Sequence, residues 1–240
     1  MMTTSHLSSR ALLSLLQWSD TLFPSGAFSH SFGLESAVQS GEVKDGTDLL
    51  SWIRIKMTHQ IFPCDLILLS QTHHAAESGT PDKPEKVFQL DAIGYAIRLP
   101  KELREGGSMI ASRFIQTAEE LYPGPWIQSW RTFLSEGKIK GDPTVAFGLV
   151  SVGAGIPVLP TLLAYLYTFT SGQVSAALRL LPIGQMEGQR IIHSVLDWAE
   201  KSGKISEAIN HPDREVSAFM PAAEIGSMQH ERSGMRLFQS

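Results

Sequence analysis

The chain has 240 residues, enough for one large domain with its own core, and its 42% hydrophobic and 18% charged content marks a folded polypeptide. A net charge of −4 gives no electrostatic ground for binding nucleic acid or an anionic membrane. Cys64 is the single cysteine, which excludes an internal disulfide and cysteine-built zinc sites.

The N-terminal segment lacks a basic start, and its apolar run is broken by Ser14 and Gln17. It does not read as a secretory signal, so the cytoplasm is the expected compartment. From Thr21 to Val38 a turn over Pro24, Ser25, Gly26 and Ala27 leads to a helix that begins near Gly33. Phe28 and Phe32 frame the small or polar residues Ser25, Ser29, His30 and Ser31. Such a stretch suits an ordinary loop with aromatic anchors or a surface that recognises a partner. Glu35 either favours the helix N-terminus or projects to that partner.

Beyond Thr47, read as an N-cap, Leu49, Leu50, Ile53 and Met57 share one helical face. Cys64 is expected to be a small buried hydrophobe. His73 and His74 project about 100° apart on a helix and cannot jointly grip an ion. His73 and Glu77, one turn apart, read as a solvated pair rather than a metal site. Glu77 to Glu85 forms a surface linker. Leu99, Leu103, Gly106, Ile110, Phe114, Thr117 and Leu121 fall in one stripe, and Gly106 and Gly107 beside it imply a close helix crossing. Pro63, Pro84, Pro100, Pro125, Pro160 and Pro182 each mark the start of a new helical segment.

Pro143 to Leu178 carries no charge and no histidine. A membrane span needs about 20 apolar residues, and Pro157 and Pro160 cut this run too short. Buried core helices are therefore expected. In the helix over Gln185 to Ala199 the apolar arc holds Ile191, Ile192, Val195, Leu196 and Ala199. Gln185 falls inside that arc and Gln189 at its edge, as amides that need partners. The C-terminus groups His230, Glu231, Arg232 and Arg236 with Met228, Met235, Leu237 and Phe238, an apolar ending that implies docking on this chain or another.

The sequence has no phosphate loop, no GxSxG elbow and no HExxH pair. No histidine cluster shows metal-ligand spacing, so neither a catalytic residue nor a metal site of its own is assigned. The expected architecture is all-α, a single bundle of about ten helices over residues 1–240 without a sheet. Residues 1–8 and 221–240 are expected to stay flexible until a partner binds.

Three ordered motifs resemble the UreF family of urease accessory proteins. They are the aromatic-Ser-x-Ser-x-Gly-Leu-Glu stretch Phe28 to Glu35, the basic-x-x-Pro-x-Gly-Gln stretch Arg179 to Gln185, and the tail Ser227 to Ser240, with its His-Glu and Arg-Leu-Phe. Arg98 to Arg104 and Pro143 to Ile156 are also similar. Gly234 departs from the family's frequent Tyr before Arg-Leu-Phe, and His30 and Phe32 occupy variable positions.

The resemblance implies an all-helical homodimer that joins a second accessory protein of the UreD/UreH type. The pair recruits the GTPase UreG and delivers nickel to the urease apoprotein, with nickel handled by the assembly. The residues expected to meet partners are Phe28, Ser29, His30, Ser31, Glu35, Arg179, Gln185, Gln189, His230, Glu231, Arg236, Leu237 and Phe238. Glu35 and Arg179 resemble the charged positions tied to the GTPase. Two other readings stay open: a helical enzyme using His30, Glu35 or His193 as acid or base, and a small membrane-associated helical protein.

Overall fold

The computed structural model describes residues 7–20, 22–27, 30–230 and 237–238; of Ala222, Gln229 and His230 only the backbone is described. Phe28, Ser29, Glu231 and Arg236 lie outside the described residues, as does the side chain of His230. Among the described residues the regular structure is helical throughout.

The first helix, α1 (Ser9–Ser19), is capped by Ser8, whose hydroxyl accepts the Ala11 N–H at 3.1 Å. Its face of Ala11, Leu15 and Trp18 is buried. The Trp18 ring meets Phe114, Tyr122 and Phe147 edge-on, at 5.3–6.2 Å between centroids. A short α2 (Leu34–Gln39) follows the first loop.

The helix α3 (Gly46–Lys56) has its cap two residues before the expected Thr47. Asp45 is the cap, because its carboxylate accepts from both Thr47 N–H at 2.8 Å and Asp48 N–H at 3.0 Å. Leu49, Ile53 and Met57 are buried on one face as their spacing predicts.

Pro63 does not begin a helix. It sits inside a π-helical stretch, Met57–Asp65, that joins α3 to α4 (Leu66–Ser78). Proline interrupts a helix because it lacks an N–H for the carbonyl four residues back. Here that carbonyl, on His59, accepts the Phe219 N–H at 3.1 Å, and the Pro63 carbonyl accepts Ser217 N–H at 3.0 Å. An extended strip between α11 (Lys204–Asn210) and α12 (Pro221–His230) thus satisfies the groups that the π-turn frees.

The centre holds α4 beside α8 (Pro143–Gly153), with α6 (Lys101–Leu121) on the far side of α8. Gly148 permits the α4 approach: a Cβ there would stand 3.0 Å from the Thr72 methyl. In α6 the buried seam is Gly106, Gly107, Ile110, Ala111, Phe114, Ile115 and Ala118, while Leu99 and Leu121 are exposed. Gly107 faces Pro143 of α8, so the glycines do mark a close crossing.

The uncharged run forms α8 and much of α9 (Val158–Leu180) inside the bundle, and no described helix is long and apolar enough to cross a membrane. The periphery is completed by α5 (Glu85–Ile97), α7 (Pro125–Ser135) and α10 (Gln185–Lys201).

A buried ionic clip locks these layers. Arg98 donates through Nε to Asp142 at 3.1 Å and through Nη2 to Thr144 at 3.1 Å, with Asp65 at 3.5 Å. Tyr165 donates to the second oxygen of Asp65 at 2.9 Å. Asp142 also caps α8 by accepting Thr144 and Val145 N–H, and Asp91 accepts three successive N–H groups, of Lys140, Gly141 and Asp142. Burial opposes the charge on Arg98, but Asp142 and Asp65 outweigh it and hold the guanidinium protonated.

Candidate functional site

The loop after α1 is built to reach one particular turn. Gly26 adopts a left-handed φ of +80° beside the Arg113 side chain, a geometry that glycine alone takes without strain. His30 then tucks against α6, where a Cβ at Gly106 would fall 2.7 Å from its Cε1. Phe32 (φ 53°) and Gly33 (φ 89°) are both left-handed, and Phe32 is the one non-glycine residue with positive φ among those described. This double turn sends the chain into α2 with Ser31 accepting the Glu35 N–H at 3.3 Å.

Glu35 is only 3% exposed, and its carboxylate is occupied by the chain's own tail. Oε1 accepts the Leu237 N–H at 2.8 Å and Oε2 accepts the Phe238 N–H at 3.0 Å. Gln39 donates to the same carboxylate at 3.3 Å. Phe238 is buried, and the Arg179 guanidinium stands 4.1 Å from its ring centroid. Arg179 is itself anchored by Nε to the Ser175 carbonyl at 3.3 Å and stays exposed. Residues separated by some two hundred positions are thus in direct contact: the loop, the end of α9 and the tail form one site.

Of the residues expected to meet partners, Glu35 bonds Leu237 and Phe238, Arg179 stands over Phe238, and Ser31 lies behind Glu35. His30 and Ser31 are buried, Leu237 is exposed, and His230 ends α12. Gln185 and Gln189 do not lie in the buried arc of α10. Both are exposed, and the buried face is Gly188, Ile191, Val195 and Ala199. Gly188 packs on Val174 of α9, which turns the helix so that its first-turn amides face outward.

Three residues that support the site were not singled out from the sequence. Lys56 is buried and its Nζ donates to the Phe32 carbonyl at 2.5 Å. Gln173 donates to the Ser31 carbonyl at 3.1 Å and accepts the Trp52 indole N–H at 3.2 Å. The available signal was Lys56 itself, a charged residue in line with Leu49, Trp52 and Ile53 on the apolar face of α3. Behind the loop lies a cavity of about 210 Å³ whose walls include Trp18, Phe32, Lys56, Asp65 and Arg98.

The acid–base candidates do not form one pocket. His30 lines the cavity, Glu35 is filled by two amides, and His193 is exposed on α10. Burial lowers the pKa of His30, and Arg113 adds to that effect. His73 Nδ1 does lie 3.8 Å from Glu77, but His73 is buried rather than solvated, bonded through Nε2 to the Ile156 carbonyl at 2.7 Å. No group of three possible metal ligands occurs among the described residues, and Cys64 is buried with its thiol pKa pushed up by burial.

Fold and site together define an all-helical protein in which Leu237 and Phe238 are seated on the Glu35 carboxylate of α2. The family described as UreF matches residues 43–196. Over 229 residues the chain is 31% identical to the urease accessory protein UreF of Lachnoclostridium phytofermentans, spanning 95% of this chain and 98% of that protein. This chain belongs to the UreF family.

Proposed function

We propose that the chain is a urease maturation factor, a non-enzymatic scaffold acting in the cytoplasm as a homodimer. It joins a UreD/UreH-type accessory protein and recruits or regulates the GTPase UreG for nickel insertion into the urease apoprotein. Membership of the UreF family supports the setting. The observation that carries the scaffold reading is the meeting of Glu35, Arg179 and Phe238 in one place.

Buried and exposed members of that site divide the work. Ser31, Glu35 and Phe238 are covered, so they shape the surface, whereas Arg179 and Leu237 are exposed on it. Gln185 and Gln189, exposed on α10, extend the surface available for contact. A protein without a phosphate loop can alter hydrolysis in trans, by offering an arginine or by holding a switch segment. It can also couple hydrolysis to metal transfer through a free energy linking two sites. A two-fold dimer presents each surface twice and adds avidity when both engage.

The test is a pull-down of the cognate accessory protein and GTPase, with nickel and nucleotide supplied. Retention of the GTPase by the full chain, weakened on deletion of residues 236–240 while helicity persists, is the expected outcome. Failure of the full chain to retain it counts against the reading.

A further inference from the structure

The turn that carries Glu35 is held from below by side chains of two other helices. Gln173 of α9 donates to the Ser31 carbonyl and Lys56 of α3 donates to the Phe32 carbonyl, so two successive peptide groups are gripped. Trp52, one helical turn before Lys56, fixes the Gln173 amide through its indole N–H and places its ring 5.5 Å from the Lys56 ammonium. Of the gripped pair Phe32 lies in the left-handed region, followed there by Gly33, and Phe32 is disfavoured in it because its Cβ crowds its own backbone. A disfavoured conformation persists only when its surroundings over-determine it.

A buried ammonium is also costly. Burial lowers the Lys56 pKa to about 8, with Asp65 favouring the charge and Arg98 opposing it. An apolar residue of similar length would fill the same space without that cost.

We infer that Trp52, Lys56 and Gln173 form a cradle that holds the Ser31–Gly33 turn in its left-handed shape, and that Lys56 is thereby a positioning residue for the docking of the C-terminal tail on Glu35. Three residues after the Phe32 carbonyl, the same chain presents the carboxylate that receives the Leu237 and Phe238 amides. Relaxing the turn re-aims that carboxylate and frees the tail. The consequence for partners rests on the reading of the tail site as the partner surface; the docking itself is a property of the isolated chain.

The experiment is amide hydrogen exchange at Leu237 and Phe238 in the full-length protein. Glu35→Gln calibrates the signal, since it weakens the acceptor directly. Lys56→Met is expected to speed exchange of both amides by about tenfold, the loss of roughly one hydrogen bond's net worth, while the α8 amides keep their wild-type rates. Lys56→Arg, which keeps a donor, is expected to restore part of the protection. Gln173→Met removes the other grip and is expected to act in the same direction. Tail exchange within twofold of wild type in folded Lys56→Met or Gln173→Met overturns the inference. So does failure of both variants to fold, because the cradle would then be a requirement of the core rather than of the turn. Loss of GTPase retention is a separate readout, so the proposed function and this inference fail independently.

Discussion

Arg179 and Phe238 lie face to face at 4.1 Å, with the cation on α9 and the ring on the tail. The contact makes an exposed arginine one wall of the seat for a buried aromatic. A cation over a ring contributes about 0.5–1 kcal/mol at exposed sites and more when desolvated. Arg179→Ala is therefore expected to loosen the tail by roughly 1 kcal/mol and to weaken retention of partners, with little change in thermal unfolding. Unaltered retention in the pull-down would separate Arg179 from the partner surface.

Glu35 supplies the stronger hold, since its carboxylate takes two backbone amides at once. Hydrogen bonds to a charged group are worth about 1.5–3 kcal/mol each. Glu35→Ala is expected to release the tail and reduce assembly more than Arg179→Ala does, while the far-ultraviolet circular dichroism of the helices persists. A smaller effect than that of Arg179→Ala would reverse this ranking.

Gly106 is the floor beneath His30, and an added Cβ would stand 2.7 Å from the imidazole. Gly106→Ala gains about 1 kcal/mol of helix propensity but forces the ring aside, an overpacking cost of about 1–3 kcal/mol. The expected net result is mild destabilisation, read as a lower urea midpoint. A raised midpoint would mean that His30 moves freely.

The Arg98 clip answers to a different measurement. Removing the cation leaves Asp65 and Asp142 buried without their partner. Breaking such a pair costs about 3–5 kcal/mol, so Arg98→Met is expected to lower unfolding stability by that order. A neutral result would show the carboxylates to be stable without it.

Stability is also expected to fall on mild acidification. Burial lowers the pKa of His30, with Arg113 adding to it, and burial lowers that of His73 against the Ile156 carbonyl and Glu77. Each folded value lies below the unfolded value of about 6.5. The unfolded chain therefore binds protons first, and the contribution present above pH 6.5 is lost as pH falls through the folded values. Asp65 and Asp91, whose pKa values burial raises, act in the opposite sense, so the comparison is made between variants. His30→Gln is expected to flatten the decline in urea midpoint between pH 6.5 and 5. An unchanged slope would show that His30 takes up its proton as readily in the folded protein as in the unfolded chain.

Much of the helical layout was legible because apolar spacing is local. The seam of α6, the buried character of α8 and the docked apolar ending all follow from side-chain pattern. Pro63 misled because its remedy is remote: the donors that complete the π-turn are Ser217 and Phe219, more than 150 positions away. Gln185 and Gln189 misled because the covered edge of α10 is the one where Gly188 meets Val174 of α9, a contact that apolar spacing does not reveal. The motifs identified Glu35, Arg179 and the tail, but Lys56 and Gln173 bond to backbone carbonyls, so the sequence marks Lys56 as a charge on an apolar face without naming what it holds.

The central claim is best tested by reconstituting urease from its apoprotein with nickel, GTP, the partner accessory protein and the GTPase. Urease activity is expected to appear with the wild-type chain, to drop severalfold with Glu35→Ala, and to stay near background when the chain is omitted. Equal activation with and without it would contradict the account.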